Sequence, residues 1–285
     1  MIPAPFLEID LVDTSIKWRK SMSQLLSFET LHNTRDLGGM LAADGRKIKS
    51  GRLIRSARLS DLSFHDQEVL AGLLDTVVDF RDVAERLEHP DTQLKGVTYI
   101  DLPLLDQLAA GVTRDVNSEQ EMLSKTVDDP VKAIQIISGI YISFVMNDFV
   151  VSQYGRFLRI LLEQHDRAVL WHCSGGKDRA GIGAVLVEEI LGVSREDIIA
   201  DYMKTNDYLS EGKEAMIQHV TQKVPAGTKV SYEALECLYC AKREYIDAFY
   251  HAVEQKYGDV QTFLREGLRM TQEDIDCMRE MYLEG

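Results

Sequence analysis

The chain has 285 residues, of which 45% are hydrophobic and 27% charged, a balance that excludes an unfolded polymer and suffices for one large α/β core. Asp and Glu number 46 against 32 Lys and Arg, and the net charge of −14 repels polyanions, which speaks against a nucleic-acid partner. No apolar run approaches the ~20 residues of a membrane span. The opening Met1-Ile2-Pro3-Ala4-Pro5 has no basic region ahead of an apolar stretch, so a cytoplasmic protein without an integral membrane segment is expected.

Short β-branched runs bounded by turn residues predict strands at Leu53-Ile54-Arg55, at Thr76 to Phe80, at Val97 to Ile100 and at Ala168 to Trp171. Residues 106–130 are polar, contain Gly111 and Asn117, and close on Asp128-Asp129-Pro130; they read as a lid-like insertion. Residues 131–164 are apolar at helical spacing and predict two helices. A further apolar helix over 180–191 stops at Gly192, and Ser194 suits the N-cap of the next. Residues 231–255, 259–267 and 271–283 read as helices. No repeat or linker divides the chain, so a single domain over 1–285 is expected. Its fold class is α/β, with a central, mostly parallel sheet flanked by helices, a helical insertion and a helical C-terminus.

Four cysteines, Cys173, Cys237, Cys240 and Cys277, are too few for a disulfide scaffold. Cys237 and Cys240 form a CxxC pair inside a helical pattern, with no second pair and no nearby His pair; they read as buried small residues and not as metal ligands.

The chemistry concentrates in Val169-Leu170-Trp171-His172-Cys173-Ser174-Gly175-Gly176-Lys177-Asp178-Arg179-Ala180-Gly181. A strand runs into Cys173, Arg179 follows six residues later, and a helix begins there. Backbone N–H groups of Ser174, Gly175, Gly176, Lys177, Asp178 and Arg179 can curl into an anion nest, with the two glycines supplying the freedom such a curl needs. The helix points its positive end at the same spot, and Arg179 can offer two parallel donors to phosphate oxygens. The same field stabilises a thiolate, and Cys173 would attack phosphorus in line to form a cysteinyl-phosphate that water then hydrolyses. Such chemistry requires no metal and no cofactor. The segment Ser174 to Asp178 also approaches the SGGxDS loop of ATP pyrophosphatases, but Arg179 stands where that loop ends in Ser, and no GxxxxGK[ST] pattern is present.

With these motifs the sequence resembles the protein tyrosine phosphatase superfamily, and within it the bacterial tyrosine/lipid phosphatases with an HCxxGKDRTG loop. Asn33-Thr34-Arg35-Asp36-Leu37-Gly38-Gly39, the block from Gly51 to Leu62, and Asp79-Phe80-Arg81 with Glu85 and Pro90 resemble the preceding blocks of that group in order. The resemblance implies the cysteine-phosphatase fold, Cys173 as nucleophile, Arg179 as phosphate clamp and Asp178 as general acid, with Asp101, Asp106 and Asp148 as rival acids. It implies a phosphotyrosine protein or a phosphoinositide as substrate, Lys177 adding charge for the latter. His172 would fix loop geometry, an Asp79–Arg81 pair would buttress the loop, and Arg35 and Asp36 would do the same. Two positions depart from the pattern. Ala180 replaces a hydroxyl residue that would stabilise the departing thiolate, so slow hydrolysis of the phosphoenzyme is expected, or, alternatively, a phospho-ligand-binding module with weak turnover. Trp171 is bulky where a small β-branched residue is usual. Sulfur or arsenate chemistry at a similar cysteine loop is a third reading, disfavoured by the Lys-Asp-Arg run.

Overall fold

A computed structural model describes residues 24–25, 28–104, 126–164, 166–209 and 227–285, with four further positions between 217 and 224. Most of the expected lid, including Asp106, lies outside them.

The strands are β1 (Gln24–Leu25), β2 (Arg35–Asp36), β3 (Lys47–Ile48), β4 (Leu53–Ser56), β5 (Leu74–Asp79), β6 (Thr98–Asp101), β7 (Ala168–His172) and β8 (Leu283–Glu284). Six form one sheet in the order β1-β2-β4-β7-β5-β6. The four strands from β4 to β6 run parallel, and β1 and β2 add an antiparallel edge. The mostly parallel sheet expected from the sequence is therefore present. The short β3–β8 ladder ties the C-terminus to the N-terminal region.

All five residues of the central β7 are buried, and their alternation decides which layer they join. Val169 and Trp171 enter the larger core cluster, whereas Ala168 and Leu170 enter a smaller one with Ile54, Leu70 and Val77. A strand buried on both faces requires helices on both. The helix α1 (Phe64–Leu73) packs on the smaller side; α2 (Val83–Glu88) follows β5. The larger core takes α3 (Pro130–Met146), α4 (Asp148–Leu162), α5 (Arg179–Leu191), α6 (Arg195–Leu209), α8 (Arg243–Tyr257) and α9 (Gln272–Tyr282), with α7 (Tyr232–Tyr239) alongside α3. Among the described residues no single helix is long and apolar enough to cross a membrane.

The pair α3 and α4 divides at Asn147, whose side chain accepts from the Phe149 and Val150 amides. Ser194 caps α6 through the Asp197 amide, as its position predicts. The single helix expected over 231–255 is instead two. Cys240 is extended, and the Asn206 side chain binds both the amide and the carbonyl of Ala241, taking backbone groups a continuous helix would use. Cys237 is buried within α7, and Cys240 is only partly covered at its end.

Trp171 gains a structural account. Its indole N–H donates to the Ala180 carbonyl at 3.0 Å, and its ring packs on Phe157. Gly183 makes room for it: a β-carbon there would stand 3.1 Å from the indole nitrogen. The bulky strand residue thus fastens β7 to the first turn of α5.

Candidate active site

Cys173 follows β7 and is buried, and Arg179 opens α5 six residues later. What shapes the loop between them is the fate of its carbonyls. The Ser174 oxygen accepts from the Arg58 amide at 3.2 Å, and the Gly175 oxygen from Asn33 Nδ2 at 2.9 Å. Arg55 Nη2 donates to the Gly176 oxygen at 2.8 Å and to the Lys177 oxygen at 3.3 Å. Four successive carbonyls are drawn outward, which turns the opposite ends of their peptide planes, the N–H groups, toward the concave side. Gly176 provides the necessary left-handed turn at φ +68°.

That turn also sets a prediction. A β-carbon on Gly176 would lie 2.7 Å from backbone atoms of Ser56 and Ala57. Gly176→Ala is expected to destabilise the protein by roughly 2–4 kcal/mol, since backbone and not a flexible side chain must yield. A denaturant midpoint equal to wild type would contradict this account of the loop.

Arg55 is completely buried and shares Asp201 with Arg35. Arg35 also donates to Asn33 Oδ1 at 3.0 Å, so it reaches the loop through Asn33. Asp36 does not: it accepts from the Gly51 amide at 2.6 Å and the Gly38 amide at 3.0 Å and organises that turn. Burial raises its pKa to about 6, with both amides pulling the other way.

Arg179 is held by Glu85, a residue given no role from the sequence. Its two terminal nitrogens meet the two carboxylate oxygens at 2.6 and 2.7 Å, and Ser174 Oγ donates to the same carboxylate at 2.6 Å. Glu85 is placed by its own helix, being the third residue of an Asp82 capping box in α2. Burial pushes the Glu85 carboxyl up, but the guanidinium outweighs it and holds the group well below the usual carboxylate range. Arg179 is displaced upward by the same contact despite burial.

His172 is fully buried, its Nε2 standing 3.0 Å from Asp91 Oδ2 and 3.8 Å from Asp79 Oδ1. Asp79 and Arg81 do pair, through contacts of 2.8 to 3.1 Å. Arg81 also meets Asp91 Oδ1 at 2.8 Å. Asp79, Asp91 and His172 are close enough to hold a cation, but the Arg81 guanidinium already compensates both carboxylates. Burial raises the Asp91 carboxyl, but the neighbouring His172 ring, 3.0 Å away, and the Arg81 guanidinium bring it below its ordinary value.

Asp178 precedes α5 without capping it through its side chain. Tyr141 donates to its Oδ1 at 2.8 Å, and Lys177 Nζ lies 3.5 Å from the same oxygen. The Lys177 ammonium also donates to the Leu238 carbonyl at 2.7 Å, at the end of α7. Among the rival acids, Asp101 faces Arg86 at 3.4 Å, and Asp148 lies on Lys256 with its side chain 94% exposed. Neither is in the loop.

Asn33, Arg55, Glu85, Asp91, Tyr141 and Asp201 are among the residues that support the site without a role legible in the sequence. The first three lay inside the recognised motif blocks, which was the available signal. Asp91 follows Pro90 directly.

The profile of the Tyrosine phosphatase family matches residues 26–284. A Cupriavidus necator protein named as a tyrosine-protein phosphatase is 30% identical over 264 residues, covering 91% of this chain and 89% of that one. The triple specificity protein phosphatase PtpB of Mycobacterium tuberculosis is 25% identical over 88% of this chain and 96% of its own. A tyrosine-protein phosphatase of Nostoc commune is 26% identical over 57% of this chain and 51% of its own. With the match running across the whole braced loop and the helices that carry it, the chain belongs to the tyrosine phosphatase family and is a phosphatase.

Proposed function

We propose that the protein hydrolyses phosphate monoesters on phosphotyrosine proteins through a cysteinyl-phosphate formed on Cys173. The observation that carries this reading is the bracing of four successive loop carbonyls around Cys173, with Arg179 fixed by both oxygens of Glu85. The concave side then presents amides and a guanidinium to the three non-bridging phosphate oxygens before substrate arrives, where prearranged donors act most strongly. Cys173 attacks phosphorus, Asp178 gives a proton to the leaving oxygen, and water completes the cycle. His172, held by Asp91 and Asp79, fixes the strand end that delivers the thiolate.

Charge compensation by amides and Arg179 makes a metal unnecessary in this scheme, so turnover should persist in EDTA. Phosphoinositides are a second substrate class, suggested by the triple specificity in the name of the mycobacterial relative. The Lys177 ammonium is turned to Leu238 and buried, which favours phosphotyrosine over a multiply phosphorylated head group.

Ala180 brings no hydroxyl to the departing thiolate, and the phosphoenzyme should accumulate. Rapid quenching in EDTA tests both ideas at once. Expected are a burst of the released phenol, approaching one per enzyme, and a phosphoryl group on the peptide containing Cys173. A linear trace would remove the slow second step, and a burst with no phosphoryl on that peptide would remove the cysteinyl-phosphate.

A further inference from the structure

Two buried phenols stand behind Asp178. Tyr141 of α3 donates to Oδ1 at 2.8 Å, and its oxygen lies 2.7 Å from the hydroxyl of Tyr202 in α6. Tyr141 has one proton and uses it on Asp178, so the second contact requires Tyr202 to donate. Both rings are fully buried. The Tyr141 ring meets that of Tyr202 edge-on at 6.1 Å and that of Tyr245 in α8 at 5.7 Å, so it cannot swing away without repacking three helices.

Asp178 is otherwise lightly held. It caps no amide of α5, and its side chain keeps 32% of its surface. Beside the neutral Tyr141 hydroxyl, the Lys177 ammonium stands 3.5 Å from Oδ1, whereas no donor among the described residues meets Oδ2. The charged and titratable groups facing this carboxylate include Lys177 in the loop, Arg179 at the start of α5, Tyr141 in α3, Tyr154 in α4, Tyr202 in α6 and Tyr245 in α8.

We propose that Tyr141, backed by Tyr202, is a positioning residue for proton transfer: it fixes Oδ1 as an acceptor and leaves Oδ2 to carry the proton. The inference rests on the role given to Asp178 above. As the bond from Cys173 sulfur to phosphorus forms and the ester P–O bond breaks, the Oδ2 proton passes to the leaving oxygen, and Asp178 becomes a carboxylate. In the second step water gives one proton back to Oδ2, its oxygen joins phosphorus, and the S–P bond breaks to restore the thiolate. Tyr141 keeps its own proton throughout; burial holds both phenols far above their ordinary titration range, so the donor persists at any working pH.

A device that acts through the acid is detected by leaving-group dependence. Phosphotyrosine needs a proton for its leaving oxygen, and dinitrophenyl phosphate does not. The quantity to measure is the ratio of kcat/KM for the two, in wild type, Tyr141→Phe, Asp178→Asn and the double variant. Tyr141→Phe is expected to lower the ratio by about tenfold, a part of the ~10²–10⁴ a general acid supplies, and to lower it no further in the Asp178→Asn background. An unchanged ratio, or an equal fall in both backgrounds, overturns the proposal. Should Tyr141→Phe fail to fold, Tyr202→Phe is measured by the same ratio in the same backgrounds, where a fall confined to the Asp178 background supports the proposal and an unchanged ratio or an equal fall overturns it. A ratio insensitive to Asp178→Asn removes the acid itself and thus the reading beneath. Sensitivity to Asp178→Asn alone removes only the role of Tyr141.

Discussion

Cys173→Ser is expected to lower phosphate release from phosphotyrosine by at least ~10⁴-fold while lowering the unfolding free energy by no more than the ~1–3 kcal/mol of a buried hydroxyl. The reasons separate cleanly. The substitution exchanges sulfur for oxygen in a buried side chain at the end of β7, and none of the bonds that brace the loop passes through that atom. Asn33, Arg55 and Arg58 hold carbonyls, and Glu85 holds Arg179, whichever atom sits below the phosphate. Chemistry is another matter. An anion nest can stabilise a thiolate because a thiol ionises within reach of its field, whereas a serine hydroxyl stays protonated under the same influence. The variant should consequently bind phosphotyrosine as well as wild type does, which calorimetry can measure beside the assay. Residual turnover within tenfold of wild type would mean that the nucleophile is elsewhere, and loss of binding together with turnover would mean that the loop geometry depends on the sulfur.

The loop from Cys173 to Arg179 was legible because its requirements are local: a strand, a cysteine, glycines able to curl, an arginine and a helix lie within a dozen consecutive residues. The parallel sheet was legible for a similar reason, since β4, β5, β6 and β7 are β-branched runs with turn residues at their ends. What escaped was whatever depends on a partner remote in sequence. Asn33 reaches a carbonyl 142 residues away and Arg55 one 121 residues away. Their spacing in the chain carries no trace of that meeting, and only motif membership marked them. The break between α7 and α8 is of the same kind, because the side chain that divides them belongs to Asn206 in α6. The short strands β2 and β3 escaped for another reason: two residues give no alternation to read, and their pairing comes from neighbours. Trp171 looked anomalous in the sequence because its complement, Gly183, lies in α5, beyond the loop.

Glu85→Ala is expected to cut kcat/KM by about 10²–10³-fold, the scale of losing prearranged donors at a developing charge. Both terminal nitrogens of Arg179 are positioned by this carboxylate, and the other protein acceptor they reach, the Phe80 carbonyl, stands at 3.5 Å. Without Glu85 the guanidinium must be ordered by each substrate in turn, and Ser174 loses its acceptor as well. Stability should fall too. Breaking a buried pair costs about 3–5 kcal/mol in the general case, and less here because Arg179 borders the cleft, where water or an oxyanion can replace the lost partner. Inorganic phosphate should raise the melting temperature of the variant less than that of wild type, because the anion must then order the guanidinium as it binds, a response that a purely structural role for Glu85 would not produce. The pH dependence carries its own sign. Glu85 titrates lower in the fold than in the unfolded chain, so its stabilisation is complete above the ordinary carboxylate range and is lost as pH falls through and below it. Asp36, raised to about 6, contributes in the opposite sense, its stabilisation waning as pH climbs from its ordinary value toward 6. Glu85→Ala should thus flatten the acid limb of the stability curve and leave the Asp36 contribution untouched. A variant that keeps wild-type activity and an unaltered acid limb would show that Arg179 needs no anchor, and the preorganisation of this site would have to be sought in the loop amides alone.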